Sequence, residues 1–121
     1  MPVDTIGTLR CGTKFGDVVQ SFKDAAFVGF NCIDAKSMTA QIKYLRSVVP
    51  KKQRISAYGN IGYWVPPPPG EYAIGEKQNN TIEHDAIYVK EVKKWVEAGA
   101  SIIGGCCGTP PDTIRMLYGI I

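Results

Sequence analysis

The sequence predicts an α/β protein built on parallel strands. Helical and strand-like segments alternate along its 121 residues, and strict alternation implies parallel strands joined by crossover helices. Three short apolar runs, at 27–30, 55–58 and 101–103, have strand length, and each is followed by a segment of helical period. The third run enters Gly104-Gly-Cys-Cys-Gly108 before a helix start, so two thiols sit between a strand's carboxyl end and a helix, where α/β proteins place their chemistry. Three strands are few for a doubly wound sheet, and both edges would need cover. The pattern therefore predicts part of a larger architecture.

Taken in order, residues 5–9 read as a strand remnant and 10–14, from Arg10, as the loop after it. Cys11 in that loop reads as a small loop or core residue rather than a ligand. A helix is expected over 15–26, with Val18, Val19, Phe22 and Ala25 on one face. The strand 27–30 ends in Asn31-Cys32. Asp34 or Ser37 then caps a helix whose Met38, Ile42, Leu45 and Val49 follow the helical rhythm up to Pro50. The strand 55–58 is stopped by 59–62, which opens a loop reaching 80. With Tyr63, Trp64 and Pro66, Pro67, Pro68 and Pro69, that loop reads as a stiff lid or rim in preference to a polyproline recognition segment.

Thr81 is placed as the cap of a helix running to Ala98, with Ile82, Ala86, Val89, Lys93 and Val96 as the inward stripe and Gly99 as the stop. His84, in its first turn, reads as a solvated surface residue. Residues 101–103 read as a buried strand. Thr109 is the natural N-cap of the last helix, Pro110 its first residue and Asp112 the acid of a capping box, with the helix ending near Tyr118.

A chain with 45% hydrophobic and 21% charged residues is ordinary for one soluble domain, here 1–121. The net charge of +3 is spread out, and the densest basic group, Lys51, Lys52 and Arg54, follows a helix end where cations are favoured. Nucleic-acid binding is not expected. Residues 1–5 lack the basic start and apolar run of a secretory signal, and no run approaches the ~20 apolar residues of a membrane span. The expectation is a cytoplasmic protein with reduced thiols and no membrane contact.

Adjacent side chains on an extended strand point to opposite faces. Gly104, Gly105 and Gly108 are read as supplying the backbone freedom that swings Cys106 and Cys107 toward one target. A soft metal held by two thiolates suits that geometry, whereas a disulfide between neighbours would be strained. Cys32 follows another parallel strand and so lies on the same rim. One strand separates the two, or about 10 Å at ~4.8 Å per strand, a gap that curvature and side-chain reach can close around zinc. Three thiolates leave a fourth tetrahedral position open, as in catalytic zinc sites. The competing reading is that isolated cysteines are inert core residues. Redox chemistry is disfavoured, because no Cys-x-x-Cys is present.

Gly29-Phe-Asn-Cys32, Asn60-Ile-Gly62 and Ile103-Gly-Gly-Cys-Cys-Gly-Thr109 resemble the zinc-dependent homocysteine S-methyltransferases. The resemblance runs from the loop at Arg10 to the last helix. It implies a partial (β/α)8 TIM barrel, about the last three β/α units, making 1–121 the C-terminal part of a homocysteine-binding domain. It implies Zn2+ held by Cys32, Cys106 and Cys107, with the sulfur of homocysteine in the open position. The methyl donor would be S-methylmethionine or S-adenosylmethionine and the product methionine. Asn31, Asn60 and Gly62 become candidate substrate-site residues. The sequence departs from the family's usual pattern at Ile61, commonly Ser or Ala, at Thr113, commonly His, and in the prolines. A full barrel of this kind needs about 250 residues. The expectation is poor turnover by this chain alone, and either self-association or pairing with an N-terminal half-barrel; a non-catalytic zinc-binding remnant is the alternative.

Overall fold

The computed structural model describes residues 6–9, 11–60 and 82–120. Arg10, Gly62, the proline-rich loop 63–80, Thr81 and the His84 side chain, all singled out above, lie outside the described residues. The elements run α1 (Phe15–Val18), a 3-10 turn (Val19–Phe22), β1 (Phe27–Asp34), α2 (Ala35–Val48), β2 (Arg54–Asn60), α3 (Ile82–Ala98), β3 (Ile102–Gly105) and α4 (Pro111–Leu117). The strands form one parallel sheet in the order β1-β2-β3. The α/β class and the alternation are as predicted. Among the described residues β1 and β3 each keep one unpaired edge. No helix of the described residues is long and apolar enough to cross a membrane.

The core lies between the sheet and the pair α2 and α3. Met38, Ile42 and Leu45 from α2, Ile55 and Ala57 from β2, and Tyr88, Val92 and Trp95 from α3 are fully buried. The α2 stripe is the predicted one, and its cap is Asp34, whose carboxylate accepts from the amides of Lys36 (3.0 Å) and Ser37 (3.3 Å). Past its end, the Arg46 guanidinium donates to the carbonyls of Pro50 (2.6 Å) and Gln53 (3.0 Å), fixing the turn into β2.

Several expectations are corrected. Among the described residues of the expected strand 5–9, which are 6–9, the one strand-like pairing is an isolated antiparallel bridge, Thr8 with Lys14. The helix expected over 15–26 stops at Phe22, and Phe22 and Ala25 are exposed. The buried Gln53 side chain donates to the carbonyls of Phe22 (2.8 Å) and Ala25 (3.1 Å). A contact from 28 or more residues away thus takes the place of another helical turn.

On α3 the inward face holds Tyr88, Glu91, Val92 and Trp95, while Ala86, Lys93 and Val96 point outward and Val89 is half-buried. Both stripes have helical spacing. Burying a Tyr and a Trp, whose rings meet edge-to-face at 5.4 Å, removes far more apolar area from water than burying Ala and a Lys stem.

β3 is only half-buried at Ile102 and Ile103, because it is an edge strand. Helix α4 starts one residue late, with Pro110 at the N-cap and no side-chain cap. The Thr109 hydroxyl is turned toward the Gly59 carbonyl (3.4 Å), and Asp112 pairs on the surface with Arg115, so no capping box forms.

Candidate metal centre

The carboxyl ends of the three strands meet at the tip of β2. In β1 the register passes from Asn31↔Tyr58 to Ile33↔Gly59, so Cys32 is the extra residue of a bulge. Its φ is 55°, and among the described residues it is the one non-glycine with positive φ. Such a bulge re-aims the side chain it carries, at a conformational cost of about 1 to 3 kcal/mol. Cys32 therefore lies inside β1 rather than past its end, as the sequence had suggested.

On the other side, β3 pairs as far as Gly105↔Gly59. The Cys106 amide donates to the Gly59 carbonyl (3.0 Å), and the Cys107 amide donates to the Asn60 side-chain oxygen (3.0 Å). The Thr109 amide closes the turn on the Cys106 carbonyl (3.1 Å), with Gly108 at φ 73°. Only Gly108 uses a left-handed backbone there. Gly104 is extended and is needed for space: a Cβ on it would lie 2.5 Å from the Tyr58 ring. Gly105 is likewise extended and packs against the Thr109 side chain.

The turn is supported from the helix layer. The Tyr88 hydroxyl donates to the Gly104 carbonyl (2.6 Å) and reaches the Gly59 carbonyl (3.4 Å). Burial pushes this phenol up to about 12. Thr113, fully buried on α4, donates to Asp85 on α3 (2.6 Å), which ties the helix after the turn to its neighbour. Neither Tyr88 nor Asp85 was signalled by the sequence, because their partners are distant in the chain.

The outcome is that the sulfurs of Cys32, Cys106 and Cys107 all lie within 4.8 Å of one another, Cys32 exposed and the other two half-buried. The expected 10 Å gap is closed because the bulge and the turn both lean over the β2 tip: the Cα atoms of Cys32 and Cys106 are 5.6 Å apart. That separation suits a disulfide, and the structure joins these two cysteines, 74 positions apart, in one. That pairing leaves Cys107 outside it, with its sulfur 3.8 Å from that of Cys32. Tetrahedral thiolates at a Zn–S distance of about 2.3 Å stand about 3.8 Å apart, so the Cys32–Cys107 pair already has the spacing zinc asks for. The donor set, three soft sulfurs, is one that zinc favours. With the bridge reduced, these residues fit a zinc ion.

Cys11 is exposed, outside this group, and its thiol is held below its ordinary value by the neighbouring Thr13 hydroxyl (3.4 Å). Asn31 is exposed beside Cys32 and lines a cavity of ≈ 210 Å³ with Gly29, Phe30, Ser56 and Tyr58. Asn60, grouped with it as a substrate-site candidate, has its side-chain oxygen engaged by the Cys107 amide.

Comparison with known proteins agrees with this architecture. Residues 2–121 match the sequence model of the homocysteine S-methyltransferase family. A selenocysteine methyltransferase of Astragalus bisulcatus is 36% identical over 106 residues, covering 88% of this chain and 29% of that protein. Homocysteine S-methyltransferase 1 of Zea mays is 32% identical over 124 residues, covering 93% of this chain and 34% of its own length. The crystal structure of the homocysteine methyltransferase MmuM from Escherichia coli, in its oxidized form, superposes with a TM-score of 0.69 at 25% identity, covering 96% of this chain and 33% of that one. The chain thus spans about a third of the length of the relatives it matches. By the match of the family model along nearly its whole length, the chain belongs to the homocysteine S-methyltransferase family.

Proposed function

We propose that this chain is the zinc-holding part of a homocysteine S-methyltransferase, corresponding to about the last three β/α units of a (β/α)8 barrel. The observation that carries this reading is the convergence of Cys32, Cys106 and Cys107 at one end of a parallel sheet. Zinc bound by the three would keep the sulfur of homocysteine deprotonated near neutral pH, a nucleophile toward the methyl of S-methylmethionine or S-adenosylmethionine. The thiolate forms the new S–CH3 bond as the donor's sulfonium S–CH3 bond breaks, giving methionine and a neutral thioether.

The chain's own residues hold the ligands. The β1 bulge aims Cys32, and the β2 tip and Gly108 aim Cys106 and Cys107. Three protein ligands would leave one position for substrate. Zinc and a Cys32–Cys106 bridge are mutually exclusive, so the zinc-bound state would need reducing conditions, such as those of the cytoplasm.

A second reading is favoured by the edges of β1 and β3 that are unpaired among the described residues: a half-barrel that acts only with a chain or segment supplying the remaining strands, or by self-association. A zinc-binding remnant without catalysis is the limiting case.

The test is zinc content of the reduced chain beside Cys106→Ser. About one zinc per chain against none supports the site, whereas a folded, reduced chain without zinc overturns it. Methyl transfer to homocysteine from each donor, with and without an added N-terminal half-barrel, then separates the readings: rescue by the added half supports the split enzyme, and zinc without rescue supports the remnant.

A further inference from the structure

In an extended strand successive side chains alternate between faces and successive amides between edges. Beyond Gly105 this alternation is broken. The amides of Cys106 and Cys107 both point to β2, the first to the Gly59 carbonyl and the second to the side-chain oxygen of Asn60 (both 3.0 Å). The backbone of β2 offers its carbonyls at every second residue, so it has none for the second of two consecutive amides. The Asn60 side chain supplies that acceptor. The rotation that turns both amides to one edge is also the rotation that brings both sulfurs to one side, where Cys32 meets them.

We propose that Asn60 is the positioning residue of the sulfur cluster: its side-chain oxygen holds the Cys107 amide out of strand geometry and thereby sets the Cys107 sulfur beside Cys32. This assigns the Asn60 side-chain oxygen a role toward the protein's own backbone, beside the substrate contact expected from the sequence. Asparagine suits the role by its reach. Aspartate keeps an acceptor at the same place, glutamine moves it by one methylene, and alanine removes it. The inference concerns the chain itself and needs the zinc reading only for its second readout.

The experiment uses the reduced chain with Asn60→Ala, Asn60→Gln and Asn60→Asp. The first readout, without metal, is hydrogen exchange at the Cys107 amide. Alanine and glutamine should speed exchange about tenfold, the loss of one hydrogen bond, and aspartate should retain protection. The second is Co2+ titration, read by the intensity of the thiolate-to-metal absorption. Alanine and glutamine should weaken binding about 10- to 100-fold, as loss of a supporting hydrogen bond does at metal sites, and lose up to a third of the band; aspartate should restore both. Should alanine fail to fold, glutamine carries the same expectation. Unchanged Cys107 exchange in the folded alanine or glutamine variant overturns the proposal, as does a full band at unchanged affinity. If the unsubstituted reduced chain takes no Co2+, the zinc reading falls and the exchange rates still decide the role of Asn60.

Discussion

The two segments that deliver the sulfurs reach the same point by opposite means. Cys32 is delivered by a bulge within a strand, on a backbone that a cysteine adopts at a cost, φ 55°. Cys106 and Cys107 are delivered by a turn in which a glycine takes the left-handed angle and the two amides donate to acceptors on β2. One segment is held in place by its surroundings; the other is built for its shape. What they share is the β2 tip, since Ile33 and Gly105 both pair with Gly59. The site is organised by the central strand, which contributes no sulfur.

The largest expected effect comes from removing what supports that tip. Trp95 is fully buried, lies against Gly59 so closely that a Cβ there would stand 2.5 Å from its ring, and donates to the Ala35 carbonyl (3.1 Å) just after β1. Trp95→Ala should cost about 3 to 5 kcal/mol in denaturant unfolding. A cost below about 1 kcal/mol would mean that the two segments do not depend on a common support.

Gly108→Ala should cost about 1 to 2 kcal/mol, the usual penalty for a side chain in the left-handed region. The opposite sign is expected at the bulge. Cys32→Gly should be more stable than Cys32→Ala by about 1 kcal/mol, since both lack the sulfur and only alanine keeps the strain. Equal stability of that pair would remove the contrast between a strained and an unstrained segment.

The smallest effect at neutral pH is at Tyr88. Its phenol is raised to about 12 in the folded chain, against about 10 in an unfolded one. The folded state therefore keeps the proton while the unfolded state releases it, so this contribution to stability is full below about pH 10 and is lost as pH rises to about 12. Tyr88→Phe should cost about 1 kcal/mol at neutral pH and flatten stability over that window. An alkaline slope unchanged by the substitution would show that the phenol titrates alike in the folded and unfolded chains.

Much of this is legible in the order of residues. Met38, Ile42, Leu45 and Val49 follow a single period on a helix with one apolar face, and all are buried. The Gly-Gly-Cys-Cys-Gly run marks the site because glycine and paired thiols are informative where they stand in the chain. On α3 the same reasoning fails, since two stripes have helical spacing and the choice between them depends on which fits α2 and the sheet. The end of the first helix fails for a similar reason: Gln53 is 28 and 31 residues from the carbonyls it satisfies.

The order of elements, the parallel sheet and the α2 face follow from the sequence alone, because period, capping and composition act over a few neighbouring residues. The three cysteines were marked by their places at strand ends and by the family motifs. Tertiary structure decided the α3 face, the bulge at Cys32, the Cys32–Cys106 bridge and the engagement of Asn60 by Cys107. Each of these joins residues far apart in the chain, and each is settled only when the elements pack together: α3 against α2 and the sheet, and β1 and β3 against the same central strand.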